Sequence, residues 1–293
     1  MLESMLAVLQ RGEKIVGDGA MGTTLHKLGL MAGTLPELWN VENPQAIITV
    51  HRDYLAAGAQ FITSNTLNCN RPMMHESGLY DRRLELARAG ARLAIQTAAG
   101  RAWVGASIGP TGQLLEPLGL LTIAELEVDF REQVEIFAKE GADFIKLETH
   151  QDLEEACAAV RMAKQYTNLP VWCTFAFNSR GRTLMGLRAA DAAQRLEAEG
   201  ADIVGANCGD GPAAIEAALR AMRPVTSLPL AAQANAGIPH LGEHGSTDWD
   251  VSPAEMAEHI RTFITLGAQV FAGCCGTSPE FISAIYRAVH GAF

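Results

Sequence analysis

Short runs of β-forming residues alternate with amphipathic helical runs along the whole chain, and this alternation constrains the fold more than any other feature. The strand-like runs are 14–18, 60–64, 102–107, 143–148, 171–177, 202–206, 229–234 and 269–273. Helical patterns fill the gaps, as at 79–97, 123–139, 153–166 and 253–266. Several strand runs are almost continuously apolar, which a strand needs when both its faces are buried in a parallel sheet. Eight βα units in 293 residues predict α/β architecture closed as one (β/α)8 TIM-type barrel, a single domain over 1–293. A repeat supports this. The string Gly-Ala-Asp/Gln followed by two apolar residues occurs at 58–62, 141–145, 200–204 and 267–271, before the second, fourth, sixth and eighth strand runs. Each copy predicts a helix ending on a glycine with positive φ and a strand starting at once. A general preference of αβ loops for this tripeptide is the alternative explanation, and it leads to the same architecture.

Charge and hydropathy exclude several function classes. Lys+Arg number 23 against 33 Asp+Glu, so a net charge of -10 argues against nucleic acid or an anionic membrane as a partner held by overall charge. No run of about 18 apolar residues predicts a transmembrane helix. The opening MLESMLAVLQRGEK places Glu3 where a secretory signal carries positive charge, so a cytoplasmic location is expected. In that compartment six cysteines are expected to be buried, catalytic or metal-bound rather than disulfide-paired.

In such barrels the chemistry collects at the C-terminal strand ends. Those ends carry Asp18, Ser64-Asn65-Thr66, Ser107, Glu148-Thr149-His150, Asn207-Cys208, Asn235 and Cys274-Cys275. Three thiols therefore converge on one mouth from the sixth and eighth strands. Strands lie about 4.8 Å apart, so side chains from these two can meet around one Zn²⁺ at about 2.3 Å per sulfur, with the fourth position left for substrate. For both Cys274 and Cys275 to face the metal the chain must turn there, and Gly273 and Gly276 allow it. A vicinal redox disulfide between Cys274 and Cys275 is the competing reading. Cys69, Cys157 and Cys173 read as small buried hydrophobes. Gly19 and Gly22 beside Asp18 form either an anion-binding backbone nest or a tight turn, and Glu148 either a ligand group or a structural ion-pair partner. His26, His51, His75, His240, His244, His259 and His290 are read as surface or core residues.

The motifs GDGAMGTT at 17–24, TSNT at 63–66, GASIGP at 105–110, LET at 147–149, ANCG at 206–209, ANAG at 234–237 and GCCGT at 273–277 resemble, in order and spacing, those of the homocysteine S-methyltransferase family. The resemblance implies a (β/α)8 barrel with a zinc site at its C-terminal mouth that methylates homocysteine to methionine. It implies one Zn²⁺ per chain on Cys208, Cys274 and Cys275. Asp18 and Glu148 match acidic positions near the homocysteine ammonium, and Gly22, Thr23 and Ser107 match the region receiving its amino-acid end. Asn235 matches an asparagine that can hold the zinc position before substrate binds. The segment 63–71 is most similar to the cobalamin-dependent methionine synthase branch. No corrinoid-binding signature DxHxxG is present, so methylcobalamin is expected on a separate corrinoid protein. The alternatives are betaine or S-methylmethionine as donor, another thiol as acceptor, or a non-catalytic zinc-containing partner of a corrinoid protein.

Overall fold

The structure, a computed structural model, describes residues 2–241 and 247–291; His244 lies outside them. Among the described residues, eight parallel strands form one sheet: β1 (Ile15–Val16), β2 (Phe61–Thr63), β3 (Trp103–Ile108), β4 (Phe144–His150), β5 (Val171–Phe175), β6 (Ile203–Cys208), β7 (Leu230–Ala234) and β10 (Ala268–Gly273). Their order is β1-β10-β7-β6-β5-β4-β3-β2, and a parallel bridge from Gly17 to Phe61 joins its two edges into a barrel. Helices lie between successive strands, as the alternation predicts. The four repeat glycines Gly58, Gly141, Gly200 and Gly267 all have φ between 85° and 105°. Each turns the chain from helix to strand where a Cβ would be strained.

The barrel interior is layered. Helix Met5–Gln10 plugs the N-terminal end, held by the Trp103 indole N–H donating to the Glu3 carbonyl at 2.8 Å and by Gln269 donating to that of Leu9 at 2.8 Å. Above it lie Phe61, Phe144 and Trp172, with Phe61 edge-on to both partners at 5.7 and 5.4 Å and the other two stacked at 5.8 Å. Such pairs add about 0.5–1.5 kcal/mol each beyond burial. Gly17 makes room for this layer, since a Cβ there would sit 2.0 Å from the Phe61 ring. Apolar filling thus occupies the lower barrel and leaves the polar residues of the strand ends at the top.

Two features depart from the sequence reading. A small antiparallel hairpin, β8 (Pro239–Leu241) paired with β9 (Thr247–Trp249), follows β7. Its residues are mostly exposed, so no apolar alternation marks it in the sequence. The run at 79–97 splits into a 3-10 turn, Tyr80–Arg82, and the helix Arg83–Ala98.

Candidate metal and substrate site

The three mouth cysteines meet because one strand separates their carriers. Cys208 ends β6 and Gly273 ends β10, and both are in register with Ala234 of the intervening β7. The chain then turns, with the Cys274 N–H donating to the Ala234 carbonyl at 2.9 Å and Gly276 at φ 79°. The sulfurs of Cys208, Cys274 and Cys275 all lie within 4.8 Å of one another. Cys208 itself sits at φ 59°, a left-handed conformation costing a non-glycine residue about 1–2 kcal/mol. Asn207 braces this end of β6. Its amide N–H donates to the Thr149 hydroxyl at 2.8 Å and reaches the Cys274 sulfur at 3.8 Å, while its carbonyl accepts from the Thr149 N–H at 2.9 Å.

This donor set suits a thiophilic divalent cation. Tetrahedral zinc with bonds of about 2.3 Å places sulfurs about 3.8 Å apart, within the spread observed. The Cys274 thiol is pushed above the ordinary range, first by its hydrogen bond with Cys208, with burial and the Glu148 charge adding. A cation removes that resistance to ionisation, because thiolates are its ligands. Just past β7, the strand between the two cysteine strands, Asn235 donates to the Gly209 carbonyl at 3.0 Å, and its Oδ1 is buried without a hydrogen-bond partner. All six cysteines are free thiols, and Cys69, Cys157 and Cys173 are fully buried, as expected of packing residues. Burial raises Cys157 to about 11.

A cleft of about 350 Å³ opens beside the thiols and is lined by Asp18, Ser107, Lys146, Glu148 and all three cysteines. Asp18 accepts from the Thr63 N–H at 2.6 Å and from the Thr63 hydroxyl at 3.1 Å. Burial raises its carboxyl to about 6, against the opposing pull of Lys146. Glu148 accepts from the Ser107 hydroxyl at 2.5 Å on one oxygen and pairs with Lys146 at 2.9 Å on the other. Gly22 and Thr23 open the short helix Gly22–Lys27 at the rim, and the Thr23 hydroxyl accepts from the Gly276 N–H at 3.2 Å. The loops after β1 and β10 are further tied by Thr277, whose hydroxyl accepts from Ala20 N–H at 3.2 Å and donates to the Cys274 carbonyl at 2.7 Å.

The site thus gathers Asp18, Gly22, Thr23, Ser107, Glu148 and the three cysteines, while Asn235 stands beside the thiols rather than on the cleft wall. Sequence reasoning missed Lys146, Thr63, Gln233 and Glu37, which also line the cleft. His26, read as surface or core, lines it too, with its Nδ1 2.8 Å from the Leu30 carbonyl. A lone lysine inside the apolar run of β4 was the available signal for Lys146. Glu37 comes from a 3-10 turn, Pro36–Leu38, far from any strand end, and carries no such signal.

A profile described as homocysteine S-methyltransferase matches residues 15–289. The chain belongs to the homocysteine S-methyltransferase family. Among its relatives, the methionine synthase of Mycobacterium tuberculosis (strain ATCC 25618 / H37Rv) is 32% identical over 94% of this chain. The chain spans only 24% of that protein's length. The betaine–homocysteine S-methyltransferase 1 of Mus musculus is 29% identical over 97% of the chain and 74% of its own length. Among solved structures, the metallated form of the Escherichia coli homocysteine methyltransferase MmuM superposes with a TM-score of 0.80 at 24% identity, covering 95% of this chain and 97% of that one. That likeness bears on the barrel fold. No described helix is long and apolar enough to cross a membrane.

Proposed function

We propose that this barrel is a zinc-dependent enzyme that activates homocysteine as a thiolate and methylates its sulfur to give methionine, taking the methyl group from methylcobalamin on a corrinoid protein outside these 293 residues. The observation that carries the reading is three convergent thiols and two carboxylates, Asp18 buried and Glu148 partly buried, facing one cleft. Cys208, Cys274 and Cys275 would hold one Zn²⁺ per chain, with the Asn235 carbonyl oxygen, orphaned beside them, as a fourth donor before substrate arrives. Bound there, zinc supplies the positive charge that keeps a substrate thiol deprotonated near neutral pH, where a free thiol of pKa about 8.5 is only a few per cent ionised.

The chain's own residues do the rest. Asp18 and Glu148 receive the substrate ammonium, a cation that needs anionic partners once withdrawn from water. Ser107 holds the Glu148 carboxylate in place, and the Gly22–Thr23 backbone at the rim receives the amino-acid carboxylate. Fixing both ends of the molecule aims its sulfur at the incoming methyl group, so rate comes from positioning rather than from a general base.

Two observations favour a corrinoid over betaine as donor. No Trp, Tyr or Phe lines the described cleft, whereas a quaternary ammonium is best received by aromatic faces. The loops around the mouth also expose large apolar residues, with Leu118, Leu120, Leu184 and Leu241 at 72–93% exposure. Such residues suit a protein-borne donor better than an enclosed small one. The likeness to betaine-dependent relatives supports betaine as the second reading. The test loads the protein with zinc and homocysteine and offers methylcobalamin, betaine and S-methylmethionine in parallel. Slow loss of methylcobalamin absorbance with methionine formation is expected. Robust turnover with betaine, and none with methylcobalamin or a methylated corrinoid protein, would overturn the donor and leave the thiolate chemistry standing.

A further inference from the structure

The structure assigns Lys146 as a positioning residue that presets both Asp18 and Glu148 to receive the substrate ammonium. Alternation along β4 turns Phe144, Lys146 and Glu148 to the same face, the barrel interior. Lys146 is 2% exposed and lies between the aromatic layer and the cleft, its Nζ 5.2 Å from the Trp172 ring. A lysine so deeply placed must be paired. Its ammonium meets Glu148 Oε2 at 2.9 Å and the Thr63 hydroxyl at 3.1 Å.

These contacts set both acids. With Ser107 on Oε1 and Lys146 on Oε2, the Glu148 carboxylate is gripped at each oxygen and cannot rotate freely. The second acid is set through a relay. A threonine hydroxyl has one proton and two lone pairs, and an ammonium offers only donors. By accepting from Lys146, the Thr63 hydroxyl is left to point its own proton at Asp18 Oδ1, 3.1 Å away. One cation thereby orients two carboxylates, Asp18 just past β1 and Glu148 on β4. It also offsets one of the two negative charges of the Asp18 and Glu148 pair, leaving that pair with the charge that a single ammonium neutralises.

The inference rests on the reading that Asp18 and Glu148 bind the ammonium, and its test separates the two. Binding to zinc-loaded protein is measured by calorimetry for homocysteine and for 4-mercaptobutyrate, which has the same thiol and carboxylate but no ammonium. Lys146→Met is expected to weaken homocysteine at least about tenfold while changing 4-mercaptobutyrate by less than about twofold. Thr63→Val, which breaks only the relay to Asp18, is expected to produce a smaller loss of the same preference, and it carries the test if Lys146→Met fails to fold. A merely structural lysine would weaken both thiols alike. Unchanged preference in these variants, with the preference lost in Glu148→Ala, would overturn the role of Lys146. Unchanged preference in Glu148→Ala as well would overturn the ammonium reading, and the role of Lys146 with it.

Discussion

A thiol in water and a thiol in this barrel differ mainly in the company each keeps, and the sharpest expectations lie at that scale. Cys208→Ser removes one of three sulfurs from the cluster and should lose most bound zinc, whereas Cys157→Ser removes a thiol buried in packing. Elemental analysis of the two purified variants checks this, and equal zinc in both would remove the site. Asp18 gives a pH expectation. Its carboxyl sits at about 6 in the folded chain and near 3.9 in an unfolded one, so between those values the folded state binds more protons. The contribution of Asp18 to stability therefore falls as pH rises from about 4 to about 6 and is level above. Asp18→Asn should flatten this slope in urea unfolding measured across that range. The gain at pH 7 should be smaller than the roughly 3 kcal/mol the shift represents, because an amide oxygen replaces only one of the two carboxylate oxygens that Thr63 contacts.

Among the elements, strands are the parts most legible in the sequence, because both faces are buried and apolar residues run nearly unbroken. β5, for example, is buried at every position. The ends of strands were less legible. β1 is regular only over Ile15–Val16, since Asp18 turns its side chain to Thr63 and its carbonyl to the Gly273 N–H. The cysteines announced themselves through an unusual residue type at strand ends, but Lys146 reaches Asp18 only through Thr63 of another strand, and a linear sequence does not display such a relay. The helix Met5–Gln10 also went unread as an element, although its apolar side closes the barrel floor. Leu9, 2% exposed, packs there in the same cluster as Ile15 and Phe61. Leu9→Ala should cost about 2–5 kcal/mol in denaturant unfolding while leaving zinc content unchanged, since floor and mouth are separated by the aromatic layer. Loss of zinc in that variant would show the two ends to be coupled.

For the whole molecule, we propose that residues 1–293 act as one homocysteine-binding barrel whose crown of exposed leucines meets the protein that brings the methyl group. Replacing Leu120 and Leu184, 93% and 89% exposed, with aspartate should slow methyl transfer from a methylated corrinoid protein several-fold and leave transfer from free methylcobalamin unchanged. Equal effects on both donors would assign these leucines to something other than docking. Folding closes the barrel by bringing β10 beside β1, and the same seam carries Cys274 and Cys275 opposite Asp18. During synthesis, a nascent chain that has emerged only as far as β7 owns one thiol of the three and no complete acid-and-thiol cleft. A product truncated there would lack two of the three proposed zinc ligands and is expected to hold no zinc at this site. Zinc uptake at the proposed site would therefore report that translation has passed residue 275 and that the ring has shut.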